Sequence, residues 1–339
     1  MLIEANIILI AISVLFFLLF AGVNFGSGPL QMITGEEDRI TITHAIGPVW
    51  EISHLWLLFA AIALFVSFPP IFATIAFYLS VPLFIVVAGT ILRGTSFVYL
   101  ASDAQGKSGS VYKWVFRFTS ITIPVFLGMI LGAVTLGRID TDAVGFYNIF
   151  VEPWLNLFSF SLGLFALALF VFLAAVYMIG ESKTDKEADA FSSAARSLNV
   201  ISVAVGVFVF TSAEMYGYPL FNNFMGSGAS IILVGAATLL VPVLWWALKS
   251  EKIWFSRLLA SAQVASIMVA WFLVQMPAVV RKENGTDLTF LNSAAPSPVL
   301  WQLFVGLVIS MLILLPLFFF LMKKYKGGMF YREKRKVKR

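Results

Sequence analysis

The chain has 339 residues, of which 60% are hydrophobic and 12% charged, and its mean hydropathy is +0.93. Soluble domains are roughly 45–50% apolar even with glycine counted, so this composition predicts an integral membrane protein. The absence of cysteine excludes disulfides, thiolate haem ligands and cysteine-bound iron–sulfur clusters within the chain. A net charge of +5 does not indicate a nucleic-acid partner here, because the placement of the basic residues fits membrane topology.

Nine apolar runs are long enough to cross a hydrocarbon core about 30 Å thick as helices. They cover approximately residues 5–23, 51–68, 71–92, 114–136, 154–179, 198–216, 229–248, 254–275 and 298–322. The second and third runs meet at Phe68-Pro69-Pro70, which predicts a tight helical hairpin, since proline ends one helix and fits the first turn of the next. No Lys or Arg precedes the first run, so we expect a retained helix and not a cleaved signal peptide.

The distribution of basic residues predicts the orientation of these helices. With the N-terminus outside, 20 of the 23 Lys and Arg residues fall in cytoplasmic segments, and only Arg138, Arg281 and Lys282 fall outside. The basic tail 323–339 would then lie against anionic cytoplasmic lipid, where it acts as a stop-transfer anchor. The C-terminus is therefore expected to be cytoplasmic.

The predicted fold is an all-α, polytopic membrane protein with a single integral membrane domain. We expect a four-helix bundle over residues 1–137, a second over 154–275, and a ninth helix over 298–322. A polar segment at 181–196 is interpreted as a cytoplasmic linker or short surface helix. No internal repeat is strong enough to demonstrate duplication.

Ionisable residues that touch membrane spans are functional candidates, because polar groups in a bilayer are costly. Glu51 and His54 are spaced i, i+3 and share one face at the cytoplasmic start of the second helix. Such a pair suits proton uptake. Two alternatives stay open: Glu51, just after Pro48, would stabilise a helix N-terminus, and His54 would pack against Trp50 and Trp56.

Asn24 lies in A-G-V-N-F-G-S-G, where Gly22, Gly26 and Gly28 recur at the end of the first helix. Glycines spaced by four permit close contact between membrane helices, so packing is the favoured interpretation. The segment lacks the G-K-[ST] ending of a phosphate-binding loop.

Arg93, in T-I-L-R-G-T-S-F, has two interpretations from the sequence. As an anchor at the end of the third helix, it would extend its guanidinium to the membrane surface. Alternatively, it pairs with Glu51 or with an acid on a partner subunit.

No metal site is predicted from His44, His54 and the carboxylates, since His44 is predicted in a loop and no second histidine flanks His54 from another helix. No nucleophile–base constellation is evident either. The chain is therefore expected to be a channel, a carrier, or one subunit of a larger membrane enzyme. As a carrier or channel it would stand alone, with Glu51 and His54 on the ion path.

Several motifs resemble subunit II of the cytochrome bd-type quinol oxidases. The family pattern has D-G-F-D-x-G-x-G at the end of helix 1, an E-R-R-like loop, S-I-G-P-V-W-[DE] followed by a tryptophan, an F-P ending to helix 2, and F-R-G at the end of helix 3. This sequence has A-G-V-N-F-G-S-G (21–28), E-D-R (37–39), A-I-G-P-V-W-E (45–51), Trp56, F-P (68–69) and L-R-G-T-S-F (92–97).

The resemblance implies a subunit of a prokaryotic cell-membrane enzyme that oxidises quinol and reduces O2 to water. The haem b and haem d-type groups would belong to the partner subunit I, against which this chain packs. A small single-helix subunit is left open as a further partner. The acid of P-V-W-[DE] is assigned to a proton path in that family, and it corresponds to Glu51.

This sequence also departs from the family pattern. Asn24 and Ala21 stand where the family commonly has acids, and Val98 occupies a frequently acidic position. Ile52-Ser53-His54 replaces a usual G-N followed by a polar residue. These differences indicate a divergent member. Glu51, His54 and Asn24 are expected on its proton path, and whether His54 replaces the acid missing at position 24 stays open.

Overall fold

The computed structural model describes residues 1–35, 39–102 and 110–325. Its helices are α1 (Leu2–Thr34), α2 (Arg39–Ser67), α3 (Pro69–Tyr78), α4 (Ser80–Ser102), α5 (Ser110–Leu136), α6 (Phe146–Phe150), α7 (Leu157–Ile179), α8 (Asp185–Met215), α9 (Leu220–Gly226), α10 (Gly228–Lys249), α11 (Ile253–Gln275) and α12 (Ser297–Tyr325). Strands β1 (Ala278–Val280) and β2 (Leu288–Thr289) form an antiparallel hairpin. The predicted basic tail lies outside the described residues from position 326 onward.

Within the described ranges, nine helices are long and apolar enough to cross a membrane. They are α1, α2, α4, α5, α7, α8, α10, α11 and α12. The prediction of an all-α, nine-span membrane protein is therefore confirmed, whereas its division into two four-helix bundles stays a prediction.

The first two spans are longer than predicted. Helix α1 continues through the glycine-containing segment to Thr34, because residues 21–31 are buried between neighbouring helices that replace solvent around the backbone. Helix α2 begins at Arg39, so Glu51 lies in the helix interior. The interpretation of Glu51 as a stabiliser of a helix N-terminus is therefore wrong.

The third apolar run is not one helix. Helix α3 ends at Tyr78, and α4 begins after Leu79 and continues to Ser102. Pro82 accounts for the break, because its ring has no N–H to donate to the carbonyl of Tyr78 and would clash with that carbonyl in a continuous helix. The predicted boundary at Pro69 and Pro70 is correct, since both residues open α3.

The polar segment 181–196 is mostly the beginning of a long helix. Thr184 caps α8 with a capping box: the backbone N–H of Glu187 donates to Thr184 Oγ1 at 3.2 Å, and Glu187 Oε2 accepts from the backbone N–H of Thr184. From this cap α8 runs without interruption to Met215. The interpretation of this segment as a separate linker or surface helix is wrong, because the cap starts the same helix that later crosses the membrane.

Helix α7 lies at the centre of the molecule and packs against α1, α5, α8 and α11. Much of the largest apolar cluster comes from its C-terminal half, residues 171–179. The ninth span, α12, packs against α2 and α1. There Asn6 Nδ2 donates to the carbonyl of Leu300 at 3.2 Å, so the last span closes against the first.

The two ends of the helical bundle differ in charge. We call the end at which α1, α4, α7 and α10 finish the basic side, because the sequence places most Lys and Arg there. The opposite side carries α6 and the β-hairpin, which contacts the end of α5 through a hydrogen bond from Arg281 N to Val134 O at 3.0 Å. The assignment of the basic side to the cytoplasm stays a prediction.

Candidate functional site

Arg93 lies inside the protein, on α4 near the basic side, and is only 1% exposed. Its Nε donates to Ser120 Oγ on α5 at 2.9 Å. Its Nη1 donates to Asn24 Oδ1 on α1 at 2.8 Å, and its Nη2 donates to the Asn24 carbonyl. The guanidinium thus joins three helices. Arg93 is not a surface anchor, because these buried acceptors hold it and α4 continues beyond it.

Two aromatic rings enclose the Arg93 guanidinium. Its Cζ lies 4.9 Å from the ring centre of Phe25 and 4.6 Å from that of Phe116. Cation–π attraction and the hydrogen bonds offset part of the cost of burying the charge. Among the described side chains, the hydrogen-bond partners of Arg93 are all neutral.

Asn24 connects Arg93 to α2. Since Asn24 Oδ1 must accept from the guanidinium, its Nδ2 is the donor and reaches Ser53 Oγ at 3.0 Å. Ser53 Oγ in turn donates to the Trp50 carbonyl at 2.9 Å. Asn24 and Ser53 are both fully buried.

His54 is the next member of this network. Its Nδ1 lies 2.7 Å from the Trp50 carbonyl and 3.4 Å from Ser53 Oγ. A carbonyl can only accept, so Nδ1 carries a proton and Nε2 of the neutral ring has a free lone pair. Within the described residues, Nε2 is buried without a hydrogen-bond partner. We call Asn24, Ser53, His54, Arg93 and Ser120 the Arg93 cluster.

Glu51 lies on α2, one turn before His54. The structure describes its backbone, and its side chain lies outside the described part of the chain. The i, i+3 spacing keeps the two residues on one helical face. A pairing of Glu51 with Arg93 stays a prediction.

The two tryptophans pack inside the chain. Trp50 makes an edge contact with His54, with ring centres 5.6 Å apart, and a Cβ added at Gly94 would lie 3.1 Å from Trp50 Cζ2. Trp56 is 8% exposed and stacks on Phe16 at 4.6 Å. His54 therefore packs against the Trp50 ring and also makes its hydrogen bond to the Trp50 carbonyl. Trp56 packs against Phe16 of α1.

The glycines of α1 lie where other helices approach closely. A Cβ on Gly26 would overlap the backbone of Phe170 on α7, and one on Gly22 would meet the Leu173 side chain. A Cβ on Gly28 would lie 2.5 Å from Ser120 Oγ on α5. Gly22 and Gly26, four residues apart, thus face α7, and Gly28 faces α5. The close approach of these helices brings Asn24 and Ser120 within reach of Arg93.

Sequence reasoning missed several members of the buried polar network. Ser53 and Ser120 have no distinguishing pattern, because serines occur throughout the apolar runs. It also missed a second buried arginine: Arg257 on α11 is 5% exposed and lies 3.1 Å from Glu181 Oε1. An arginine within I-W-F-S-R-L-L-A was the available signal for this ion pair.

The described residues do not fit a haem group. His54 Nδ1 is engaged by a carbonyl, and its Nε2 is buried beside the rings of Trp50 and Phe25. His44 lies within α2, so its prediction in a loop is wrong, and its side chain lies outside the described part of the chain. In the described ranges, no three His, Asp or Glu side chains gather as metal ligands.

Comparison with known proteins identifies the family. The family model for cytochrome bd terminal oxidase subunit II matches residues 2–325. The Bacillus subtilis (strain 168) cytochrome bd ubiquinol oxidase subunit 2 is 28% identical over 209 residues, which is 61% of each chain. A putative cytochrome bd menaquinol oxidase subunit II from the same organism is 23% identical over 97% of both chains.

A solved structure has the same fold. A chain of the bd oxidase from Geobacillus thermodenitrificans superposes with a TM-score of 0.75 at 16% identity, covering 96% of this chain and 99% of that one. The family match spans nearly the whole sequence, and the low identities fit a divergent branch. This multi-pass membrane protein belongs to the family of cytochrome bd terminal oxidase subunit II.

Proposed function

We propose that this chain packs against a haem-bearing subunit I in a bd-type terminal oxidase, which oxidises quinol and reduces O2 to water. In this complex the partner would hold the haem b and haem d-type groups, which supply the oxygen chemistry. This chain would contribute a proton path from the cytoplasmic side. A small single-helix subunit and membrane lipid would be further partners.

The observation that carries the proton-path proposal is the continuity of the Arg93 cluster from α4 through α1 to α2. Hydrogen bonds run from Arg93 to Asn24 and from Asn24 to Ser53, with His54 at the end of the network. Polar side chains inside a membrane span are costly and therefore point to a function. The cluster lies near the basic side, where protons from the cytoplasm would enter.

The residues of the path would have different roles. Glu51 would take up a proton from cytoplasmic water, and His54 Nε2 would hold and release it, since its Nδ1 is already protonated and fixed by the Trp50 carbonyl. Asn24 has no titratable group, so it would be a positioning residue that orients Ser53 and keeps Arg93 in place. Of the residues expected as structural residues or subunit contacts, Arg93, Trp56 and Gly26 are buried within this chain and would be structural, whereas Trp50 would be a structural residue or a contact to the partner subunit.

Mild-detergent purification of the tagged chain from its native membrane tests the proposed complex. We expect a larger chain to copurify, with a visible absorption spectrum of b- and d-type haems that responds to reductant. Recovery of the intact chain without a haem-bearing partner would contradict the proposal. That result would favour the stand-alone carrier or channel with Glu51 and His54 on its path.

A further inference from the structure

A cleft opens on the basic side between the start of α8 and the turn that joins α10 to α11. Its volume is about 590 Å³. We call it the α8–α11 cleft. The lining residues used below are Asp189, Ser192, Arg196, Lys249, Lys252 and Trp254.

The length of α8 places this cleft at the level of lipid headgroups. A helix of 31 residues is about 46 Å long at about 1.5 Å per residue, whereas the hydrocarbon core is about 30 Å thick. The apolar part of α8 is its C-terminal portion, so the polar first turns extend beyond the hydrocarbon on the basic side. The cleft lies along these polar turns.

The charged residues that α8 contributes to the cleft lie at different depths relative to the hydrocarbon core. Asp189, Ser192 and Arg196 follow one another at three- and four-residue steps and share one face of α8. Asp189 is farthest from the hydrocarbon and Arg196 is nearest to it. An anion approaching from the bilayer would therefore meet the guanidinium before the carboxylate.

The opposite wall adds two more cations. Lys249 ends α10 and is exposed. Lys252 also lines the cleft, and its Nζ lies 4.3 Å from the centre of the Trp246 ring, a cation–π contact that restrains the ammonium. Glu251 also lines the cleft, so its cations outnumber its acids by three to two.

Arg196 retains donors for a ligand. Its Nε donates to the Ser192 carbonyl at a long 3.4 Å, and within the described chain no bond occupies its Nη groups. A guanidinium with two free N–H groups matches the geometry of a phosphate. Ser192 offers a hydroxyl beside it.

The cleft also has an apolar, aromatic border. Trp254 and Phe255 open α11 and are 56% and 38% exposed. Tryptophan at the end of a membrane helix characteristically lies at the headgroup level. Ile179 and Leu248 contribute further apolar lining.

From this combination of basic side chains, headgroup depth and aromatic border, we propose that the α8–α11 cleft binds the phosphate of an anionic phospholipid. Arg196 and Ser192 would contact the phosphate oxygens, Lys249 and Lys252 would complete the positive wall, and the glycerol and upper acyl chains would lie against Trp254. Basic pockets between helices on the cytoplasmic side suit anionic headgroups. This site lies outside the Arg93 cluster and does not depend on the proposed proton path.

Lipid retention by the purified native complex in nanodiscs tests the proposal. Phosphatidylglycerol or phosphatidylcholine is titrated in, and bound lipid is counted by native mass spectrometry. We expect saturable binding of phosphatidylglycerol, about fivefold weaker binding after Arg196→Gln, and a larger loss after Lys249→Gln/Lys252→Gln. Lys183→Gln is the matched control, because it removes a cation from the same side outside the cleft.

Other results would overturn the proposal. Equal weakening of lipid binding by Lys183→Gln would show attraction to general surface charge. Equal retention of phosphatidylcholine, whose phosphate is neutralised by choline, would show that the cleft does not select an anionic headgroup. An excess of inorganic phosphate is the competing arm: displacement of the lipid by phosphate alone would assign the cleft to a free anion. Exclusion of added lipid by a bound protein subunit would assign the cleft to that subunit.

Discussion

Arg93 on α4 donates to the side-chain oxygen of Asn24 on α1 across 2.8 Å, so an amide oxygen accepts from a fully buried cation. The resemblance places an acid at this position in related chains. Here the amide also donates onward to Ser53, which a carboxylate cannot do when ionised. In this chain, Asn24 therefore forms a hydrogen-bonded connection between α1 and α2.

Asn24→Ala is expected to destabilise the protein. It removes an acceptor from a buried charged group and leaves Ser53 without its donor, a loss of about 1.5–3 kcal/mol. Thermal unfolding in detergent, followed by circular dichroism, measures the change. Asn24→Asp is the control. It loses the donation to Ser53 but keeps the acceptor for Arg93 and adds an opposite charge, so it should unfold at or above the wild-type temperature. An Asn24→Ala variant that unfolds at the wild-type temperature would argue against a structural role for this contact.

Gly26→Ala is expected to destabilise the contact of α1 with α7 by about 1–3 kcal/mol, since the added methyl group meets the backbone of Phe170, which cannot move as a side chain does. Gly235→Ala on α10 is the matched control. Nothing lies within 4 Å of its added Cβ, and alanine favours a helix. Unfolding temperatures of the two variants should change in opposite directions, and equal shifts would refute the close-approach argument.

Glu181→Gln tests the ion pair between Glu181 and the buried Arg257. The variant keeps the size of the side chain but removes the charge that faces Arg257 at 3.1 Å. We expect a loss of about 1–3 kcal/mol in detergent unfolding, because hydrogen bonds to charged groups contribute more than neutral ones. Glu214→Gln, an exposed acid at the end of α8, should have no measurable effect. Equal stability of both variants would show that the pair contributes nothing net.

His54→Gln separates proton transfer from packing. Glutamine retains hydrogen-bonding groups but cannot carry a proton, so we expect O2 reduction to slow roughly tenfold while the haem spectra stay unchanged. Ser53→Ala, which keeps the imidazole and removes one neighbour of its Nδ1, should have a smaller effect. Normal turnover of His54→Gln would exclude the ring from the path.

Hydropathy alone predicted the number of spans, because a bilayer demands long apolar helices wherever the chain crosses it. Helix ends were less predictable. The extension of α1 through Gly26 depends on packing against α7, which no local sequence pattern predicts. The break at Leu79 is explained by Pro82, three residues later, which lies inside an apolar run.

The candidate site was only partly visible in the sequence. Glu51 and His54 stood out because ionisable residues are rare in the spans. Asn24 and Arg93, however, are separated by 69 positions, and only the folded chain brings them together. Ser53 and Ser120 carry no signal of their own, so their part in the network follows from the close approach of α1, α2 and α5.

The most direct test of the proton-path proposal is the O2-consumption rate of the purified complex carrying Glu51→Gln. The matched control is Glu214→Gln, which neutralises an exposed acid at the opposite end of the bundle. The account predicts intact haem spectra in both complexes, slow turnover only for Glu51→Gln, and no recovery of that rate with added quinol. Wild-type turnover of a spectrally intact Glu51→Gln complex at every pH tested would contradict the account.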